Sequence, residues 1–251
     1  EQGRLIALLK EKRQAGISHA VTRGPNPDAP RKPSGVAWLG DVPAHWVITK
    51  IGSYATVENG STPSRDNDDY WRDGTIPWLS SGEVNQGKVL TAEEYITDLA
   101  LRETSLRVVP AGAVVIGMIG QGKTRGLSAM LMIESTINQN MAAIVPSRGL
   151  DSNYLQFSLT AAYEHLREYG RGGQQSALNC EILRSFRVPL PPVEEQKAIV
   201  EFLDRETAAI DALMAEAERA VALLGERRAA LIAAAVTGRV DVRGVAAGEG
   251  V

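Results

Sequence analysis

The sequence predicts an α+β fold, a mixed α/β domain with a twisted β-sheet followed by a long coiled-coil-forming α-helix. Three observations lead there. Short β-rich runs (WVITKIG, GAVVIGMI, MAAIVP) separated by Gly/Ser/Asn-rich turns fill residues 36–190, with one helix expected from Asn153 to Tyr169. From Pro191 the pattern becomes helical without a break to Gly238. A helical segment near the start is repeated near the end.

The long helix has clear ends. Pro191 and Pro192 suit its entry, where a missing N–H costs little; Glu194 and Glu195 suit the positive end of its dipole, and Gly238 suits the exit. Positions Ile199, Leu203, Glu206, Ile210, Leu213, Ala217, Ala220, Leu224, Arg227, Leu231 and Ala234 alternate spacings of four and three, a heptad seam interrupted twice by charge. Such a seam wants a partner helix, and Ile199, Leu203, Ile210, Leu213, Ala217, Leu224 and Leu231 are its expected contacts. At 1.5 Å per residue the rod is roughly 65 Å long.

LLKEKRQAGISHAVT (Leu8 to Thr22) recurs as LLGERRAALIAAAVT (Leu223 to Thr237), shifted by 215 residues with nine of fifteen positions identical. Two Ala/Arg-rich helices can match by chance. The ungapped alignment favours one unit, a globular domain followed by a long helix, that occurs twice in a parent protein. The expected organisation is therefore the end of a preceding helix (1–22), a Pro-rich linker (23–35), the globular domain (36–190), the long helix (191–238) and a flexible tail (239–251). RGPNPDAPRKPSG carries four prolines in thirteen residues, which no helix or central strand sustains. The chain starts with Glu rather than Met and is read as a piece of a longer one.

Composition narrows the chemistry. One cysteine (Cys180) and three histidines leave little for a disulfide framework or a zinc site. No apolar run is long enough to cross a bilayer and no secretory signal is visible, so the expected compartment is the cytoplasm. A formal net charge of −3 means that nucleic-acid binding would depend on local patches rather than bulk charge.

GMIGQGKT (Gly117 to Thr124) fits the phosphate-binding pattern G-x-x-x-x-G-K-[ST] and follows the apolar run AVVI. A nucleotide site also needs a helix after the turn and an acidic residue on a neighbouring strand for magnesium. Here RGLSAMLMIEST follows, with Gly126 early in the supposed helix and β propensity by Ile133 to Thr136. A P-loop NTP-binding protein remains one alternative, and a coiled-coil interaction scaffold without DNA binding another. The same loop, with Lys123 and Arg125, can grip a nucleic-acid phosphate without nucleotide chemistry. Serine-hydrolase, zinc-protease, methyltransferase and nuclease signatures are absent, so no catalytic residue and no metal ligand is assigned.

Six segments together resemble the specificity subunit of type I restriction-modification enzymes. They are WLGDVPAHWVITKIGSYATVENGSTPSR (Trp38 to Arg65), IPWLSSGEVNQGKV (Ile76 to Val89), GAVVIGMIGQGKTRG, INQNMAAIVP (Ile137 to Pro146), GGQQSALNCEILRSFRVPLPPVEEQKAIVEFLD (Gly172 to Asp204) and ERRAALIAAAVTG. The junction PLPPVEEQ is the most specific. The resemblance implies a non-catalytic DNA-recognition protein. Each of two target-recognition domains would read one half of a split double-stranded DNA sequence, with two long helices as spacer. Residues 36–190 would be one such domain. It also implies partners: methyltransferase (modification) subunits, a restriction subunit through the complex, and a second recognition half or self-association through the long helix. ATP, methyl donor and nuclease would sit on those partners, so no cofactor and no membrane are expected here.

Polar or basic residues on Gly-flanked turns are the candidate DNA contacts: Ser61, Thr62, Ser64 and Arg65; Ser80, Ser81, Gln86 and Lys88; Gln121, Lys123, Thr124 and Arg125; Arg171, Gln174 and Gln175. Arg and Lys suit guanine or phosphate and Gln suits adenine. Serine and threonine in such turns also satisfy their own backbone. The glycines of RGGQQ permit close backbone approach.

Overall fold

The computed structural model describes residues 2–119, 123–168 and 178–237. In chain order, helix α1 (Gln2–Arg23) is followed by β1 (Arg31–Pro33), β2 (Asp41–Pro43), β3 (Val47–Lys50), β4 (Ala55–Asn59), β5 (Ile76–Leu79), β6 (Lys88–Val89) and β7 (Glu94–Ile96). Helix α2 (Asp98–Glu103) precedes β8 (Val114–Gly117), β9 (Ser128–Leu131), β10 (Thr136–Ile137) and β11 (Met141–Pro146). Helices α3 (Ser152–Ala161), α4 (Tyr163–Glu168) and α5 (Cys180–Ser185), strand β12 (Arg187–Leu190) and helix α6 (Val193–Val236) complete the chain. The α+β reading holds, with one uninterrupted helix where the heptad pattern demands it.

The central element is a five-stranded mixed sheet in the order β4-β11-β8-β9-β6. Successive side chains of a strand point to opposite faces, and here both faces are covered. Val114, Ile116, Met130, Ala142 and Ile144 join one core cluster with Tyr154, Leu155 and Leu159 of α3. Val115, Ala129, Leu131, Met141 and Ala143 join another with Leu79, Val84 and Ile137. Two-sided burial is why AVVI and MAAIV read as continuous apolar runs rather than alternating ones. A smaller three-stranded sheet, β10-β5-β7, backs a third cluster built on Trp78, Ile96, Ala100 and Leu106.

The expected single helix over Asn153 to Tyr169 is two helices. Asp151 caps α3 by accepting from the Tyr154 N–H, and the run breaks at Ala162 before α4 begins. The Pro-rich stretch is also more structured than a linker. Its β1 pairs antiparallel with β2, Lys32 opposite Val42. Proline is tolerated in this two-stranded ladder because an edge strand needs only part of its donors.

The chain divides into two compact units, residues 1–13 with 204–251 and residues 14–203. This boundary differs from the one expected at residue 190. Ile199, Val200 and Leu203 of α6, with Ile17, Ala20 and Val21 of α1, belong to the main core of the larger unit, so the start of α6 is part of that globule.

At the PLPPVEEQ junction Gln196 ties three backbone groups together. Fully buried, its Oε1 accepts from the Asp151 N–H at 2.8 Å, and its Nε2 donates to the Gly149 and Pro191 carbonyls, both at 2.8 Å. Beside it, Glu195 pairs with His45 at 2.8 Å. Only a side chain with both donor and acceptor serves three backbone groups in this way.

Candidate nucleic-acid interface

The registers place most candidate segments at one end of the five-stranded sheet. Ala142 lies opposite both Asn59 and Ile116, Met141 opposite Gly117, and Ser128 opposite Ile116. The last residue of β4, the last of β8, the first of β9 and the first of β11 therefore share an edge. From it leave the 60–65 loop, the 118–127 loop and the turn that precedes β11.

That turn, Ile137 to Asn140, is where the segments meet. The Ser61 N–H donates to the Ile137 carbonyl (3.0 Å), the Asn138 N–H to the Leu79 carbonyl (3.0 Å), and the Met118 N–H to the Asn140 carbonyl (2.8 Å). The Leu178 N–H in turn reaches the Met118 carbonyl at 3.2 Å. Gly60 makes the junction possible, since a Cβ there would lie 1.7 Å from the Ile137 carbonyl oxygen. Gly117 does the same for the 118–123 loop, whose neck closes so tightly that a Cβ would sit 2.6 Å from the Thr124 carbonyl oxygen.

The 61–65 loop is held from below by two tryptophans. Trp78 Nε1 donates to the Ser61 carbonyl at 3.0 Å and Trp71 Nε1 to the Ser64 carbonyl at 2.9 Å, with the two indoles edge to face at 5.2 Å. Arg65 lies over both rings, its guanidinium carbon 3.6 Å from the Trp71 centroid and 4.9 Å from that of Trp78. It is also bidentate to Glu94 at 2.5 and 2.8 Å. The hydrogen bonds from Arg65 hold the Glu94 carboxyl below its ordinary value, and the bond to Glu94 raises Arg65 in return. Arg65, expected on a base or phosphate, is thus committed to clamping its own loop. Thr62 donates its hydroxyl to Gln139 Oε1, and the Ser64 side chain is exposed.

Ser80 forms a capping box with Glu83, whose Oε2 accepts from the Ser80 N–H at 2.6 Å while Oε1 accepts from the Glu93 N–H at 3.1 Å. Burial pushes the Glu83 carboxyl up, and these N–H groups oppose the shift. Ser80 is engaged in this turn chemistry and Ser81 is half-buried, whereas Gln86 and Lys88 are exposed.

In the 118–127 loop, Lys123 is exposed while Thr124 and Arg125 are half-buried. The Tyr163 hydroxyl donates to the Lys123 carbonyl at 2.7 Å and Arg125 Nη2 to the Arg167 carbonyl at 2.6 Å. Gln121, Arg171, Gln174 and Gln175 lie outside the described residues. Their flanks nevertheless meet, through the Arg125–Arg167 and Leu178–Met118 contacts.

The nucleotide-site alternative is not supported by this geometry. After Thr124 the chain turns at Gly126 and enters strand β9, with Ser128 already paired to β8. Among the described residues, the chain after the loop completes the sheet as β9 rather than starting a helix whose N-terminal amides could face a phosphate. Among the described residues, no group of acidic, His or Cys side chains could hold a metal ion.

Along the long helix the expected seam is displaced at alternate positions. Ile199, Leu203, Ile210 and Ala217 are buried, but the positions between them are Thr207 and Met214 rather than Glu206 and Leu213. Leu213, Leu224 and Leu231 are 52%, 54% and 56% exposed. Both phases share every seventh residue, and a one-residue shift between them puts the polar Thr207 inside and keeps charged Glu206 in water. Arg13 of α1 bonds Asp211 at 2.9 Å within the smaller unit. Beyond residue 220 the described side chains are exposed up to residue 233.

The turn Ile137 to Asn140 is what residue-type reasoning overlooked. INQN carries no charge and no glycine, and only its position between two apolar strands marks it as a loop.

The type I restriction modification DNA specificity domain family matches residues 43–221. The chain is 28% identical over 158 residues to the EcoR124I/EcoR124II specificity subunit of Escherichia coli, covering 62% of this chain and 39% of that one. It is 30% identical over 170 residues to the MjaIX specificity subunit of Methanocaldococcus jannaschii, covering 66% and 38%. It thus spans about two fifths of the length of these relatives. Among solved structures, a type I R-M system complex superposes with a TM-score of 0.71 at 19% identity, over 93% of this chain and 53% of that one. The HsdS subunit of Thermoanaerobacter tengcongensis does so with a TM-score of 0.61 at 19% identity, over 87% and 50%. With a match that runs through the sheet, the loops at its end and the start of the long helix, the chain belongs to the family of type I restriction-modification DNA specificity domains.

Proposed function

We propose that this chain reads one half of a bipartite double-stranded DNA target and holds that reader in a complex whose methyltransferase and restriction subunits carry out the reaction. The observation that carries the reading is the gathering of polar loops at one end of the central sheet. Asn59, Thr62, Ser64, Gln86, Lys88, Gln139 and Lys123 all belong to segments that leave this end. Amide and hydroxyl side chains there suit base edges, and the two lysines suit phosphates. The chain itself contributes geometry and no bond-making group, and the compartment proposed is the cytoplasm.

The partner on the long helix is a second recognition half. Leu223 to Thr237 repeats the segment of α1 that buries Ile17, Ala20 and Val21 in a globular unit, and in α6 its apolar side chains are exposed. A sister unit of the same kind, whose own preceding helix is missing, offers the matching seat.

The test is binding of cognate and scrambled duplexes by the assembled complex. The cognate sequence comes from comparing methylated sites in cells with and without the intact system. Tighter binding of the cognate duplex, weakened by salt, is the expected result; equal affinity for both duplexes refutes the reading.

A further inference from the structure

We propose that Gln139 is a base-reading residue, its amide aimed by Thr62 so that Nε2 donates to an acceptor on a base edge in the major groove. The proposal rests on the DNA-reading function above and adds to it a residue, an atom and a ligand chemistry.

Four features converge on this side chain. Gln139 is exposed, next to the buried Ile137 and Asn138 and the half-buried Asn140. The residues that flank it are held, Ile137 by the bond from Ser61, Asn138 by its bond to Leu79 and Asn140 by the bond from Met118 described above, and Asn138 Oδ1 accepts from the Asn140 N–H at 3.0 Å. Its Oε1 already accepts the Thr62 hydroxyl, which distinguishes the two ends of the amide. Thr62 itself belongs to the loop that Trp71 and Trp78 clamp, so the orienting hydroxyl is fixed as well.

Nε2 then remains with two N–H donors and no protein partner among the described residues. On a duplex the complementary atoms are purine N7, guanine O6 and thymine O4. A phosphate oxygen also accepts, but recognition there would carry no sequence information. The observations favour a base edge. The donor is an uncharged amide in a turn central among the candidate loops, whereas of the described cations of this end Lys88, Lys123 and Arg125 lie on flanking segments and Arg65 is bidentate to Glu94.

The experiment uses the complete restriction-modification system carrying wild-type chain, Gln139→Ala, Gln139→Glu or Thr62→Val. Methylated sequences are mapped genome-wide, and bound sequences are selected from a randomised duplex pool. Gln139→Ala is expected to relax preference about tenfold at one position of one half-site, the scale of a single lost base contact. The other positions and the affinity for non-cognate duplex should be unchanged. Gln139→Glu keeps the acceptor for Thr62 and has no donor, so preference at that position should move toward bases presenting an amino group, cytosine or adenine. Thr62→Val should relax the same position by less. Unchanged melting of the purified variants separates these effects from misfolding, and Gln139→Glu remains decisive if the alanine variant is unstable. Uniform weakening on all sequences would mean a backbone contact and overturn the assignment, as would an unchanged profile. A wild-type system without sequence preference would overturn the proposed function and this inference together.

Discussion

Leu8 to Thr22 and Leu223 to Thr237 are near copies with opposite surroundings. In the first, Ile17 and Val21 are 0% exposed; in the second, the equivalent Ile232 and Val236 are 53% and 82% exposed. Local structure does not distinguish them. Both are helical, and even the hydroxyls of Thr22 and Thr237 make the same bond, to the carbonyl four residues back at 2.6 and 2.7 Å. The first copy has a globular unit to pack on and the second has none among the described residues. Burial is therefore a property of the neighbours that the chain supplies, and an apolar helix stripe states a demand that only a partner satisfies.

The largest effect that tests this contrast is truncation of the matched isoleucines. Ile17→Ala should cost about 2–5 kcal/mol in denaturant unfolding, by lost burial and the cavity left behind. Ile232→Ala should change the stability of the chain by no more than about 0.5 kcal/mol, the ordinary range for an exposed position. Equal losses would mean that the two copies are equally packed. Ile232→Asp sharpens the point, since it should leave unfolding unchanged and abolish assembly with the proposed second recognition half.

Next in size is the anchor at the buried start of α6. Gln196→Leu strands the Asp151 N–H and the Gly149 and Pro191 carbonyls, so a loss of roughly 3 kcal/mol is expected from unsatisfied buried groups. Hydrogen exchange of the first turns of α6 should quicken with it. Retained protection there would show that packing of Ile199 and Leu203 alone secures the junction.

A smaller effect should come from Tyr154, buried in the α1 seat, whose hydroxyl donates to the Val21 and Pro189 carbonyls at 3.4 and 3.2 Å. Burial pushes this phenol far above its ordinary value, so it stays neutral. Tyr154→Phe should cost about 1 kcal/mol by thermal melting, the net worth of a neutral hydrogen bond. The smallest difference is expected between the matched arginines. Arg13→Ala removes an exposed ion pair with Asp211 worth at most about 1 kcal/mol, fading with added salt. Arg228, its copy, makes no such bond among the described residues, and its removal should be silent.

The 61–65 loop offers a pH test of a different kind. Glu94, held below its ordinary value of 4.5 by Arg65, stabilises the fold wherever it is charged. That contribution is present above the unfolded value and is lost as pH falls through the depressed folded one. Glu83, raised by burial, acts with the opposite sign, its penalty easing as it takes up a proton. Loss of the Trp71 fluorescence environment should therefore occur only on acidification below 4.5, and Glu94→Gln should remove that transition.

Several features of the fold were legible as pattern. Strands β8 and β11 appear as apolar runs, α6 as a heptad seam with proline entry and acidic first turn, and the duplication as an ungapped match. The candidate loops were legible only as turn chemistry. Whether Ser80 would read a base or cap a turn depends on Glu83 three residues on, and the sequence permits both. Arg65 is of a residue type that suits a DNA contact, but Trp71, Trp78 and Glu94, six, thirteen and 29 residues on, meet it in space. Gln139 had no signal of its own, because what singles it out is the Thr62 hydroxyl on its amide and the backbone contacts that Ser61, Leu79 and Met118 make with its turn.

The sequence by itself determined the fold class, the long helix, the repeat and the family, since periodicity, caps and junction motifs act over a few neighbouring residues. Tertiary structure alone decided which copy of the repeat is buried, which phase of the seam is inside and which loops share one end of the sheet. Those outcomes depend on contacts between residues 20 to 200 positions apart in the chain, and no local pattern encodes which distant surface will be there to meet them.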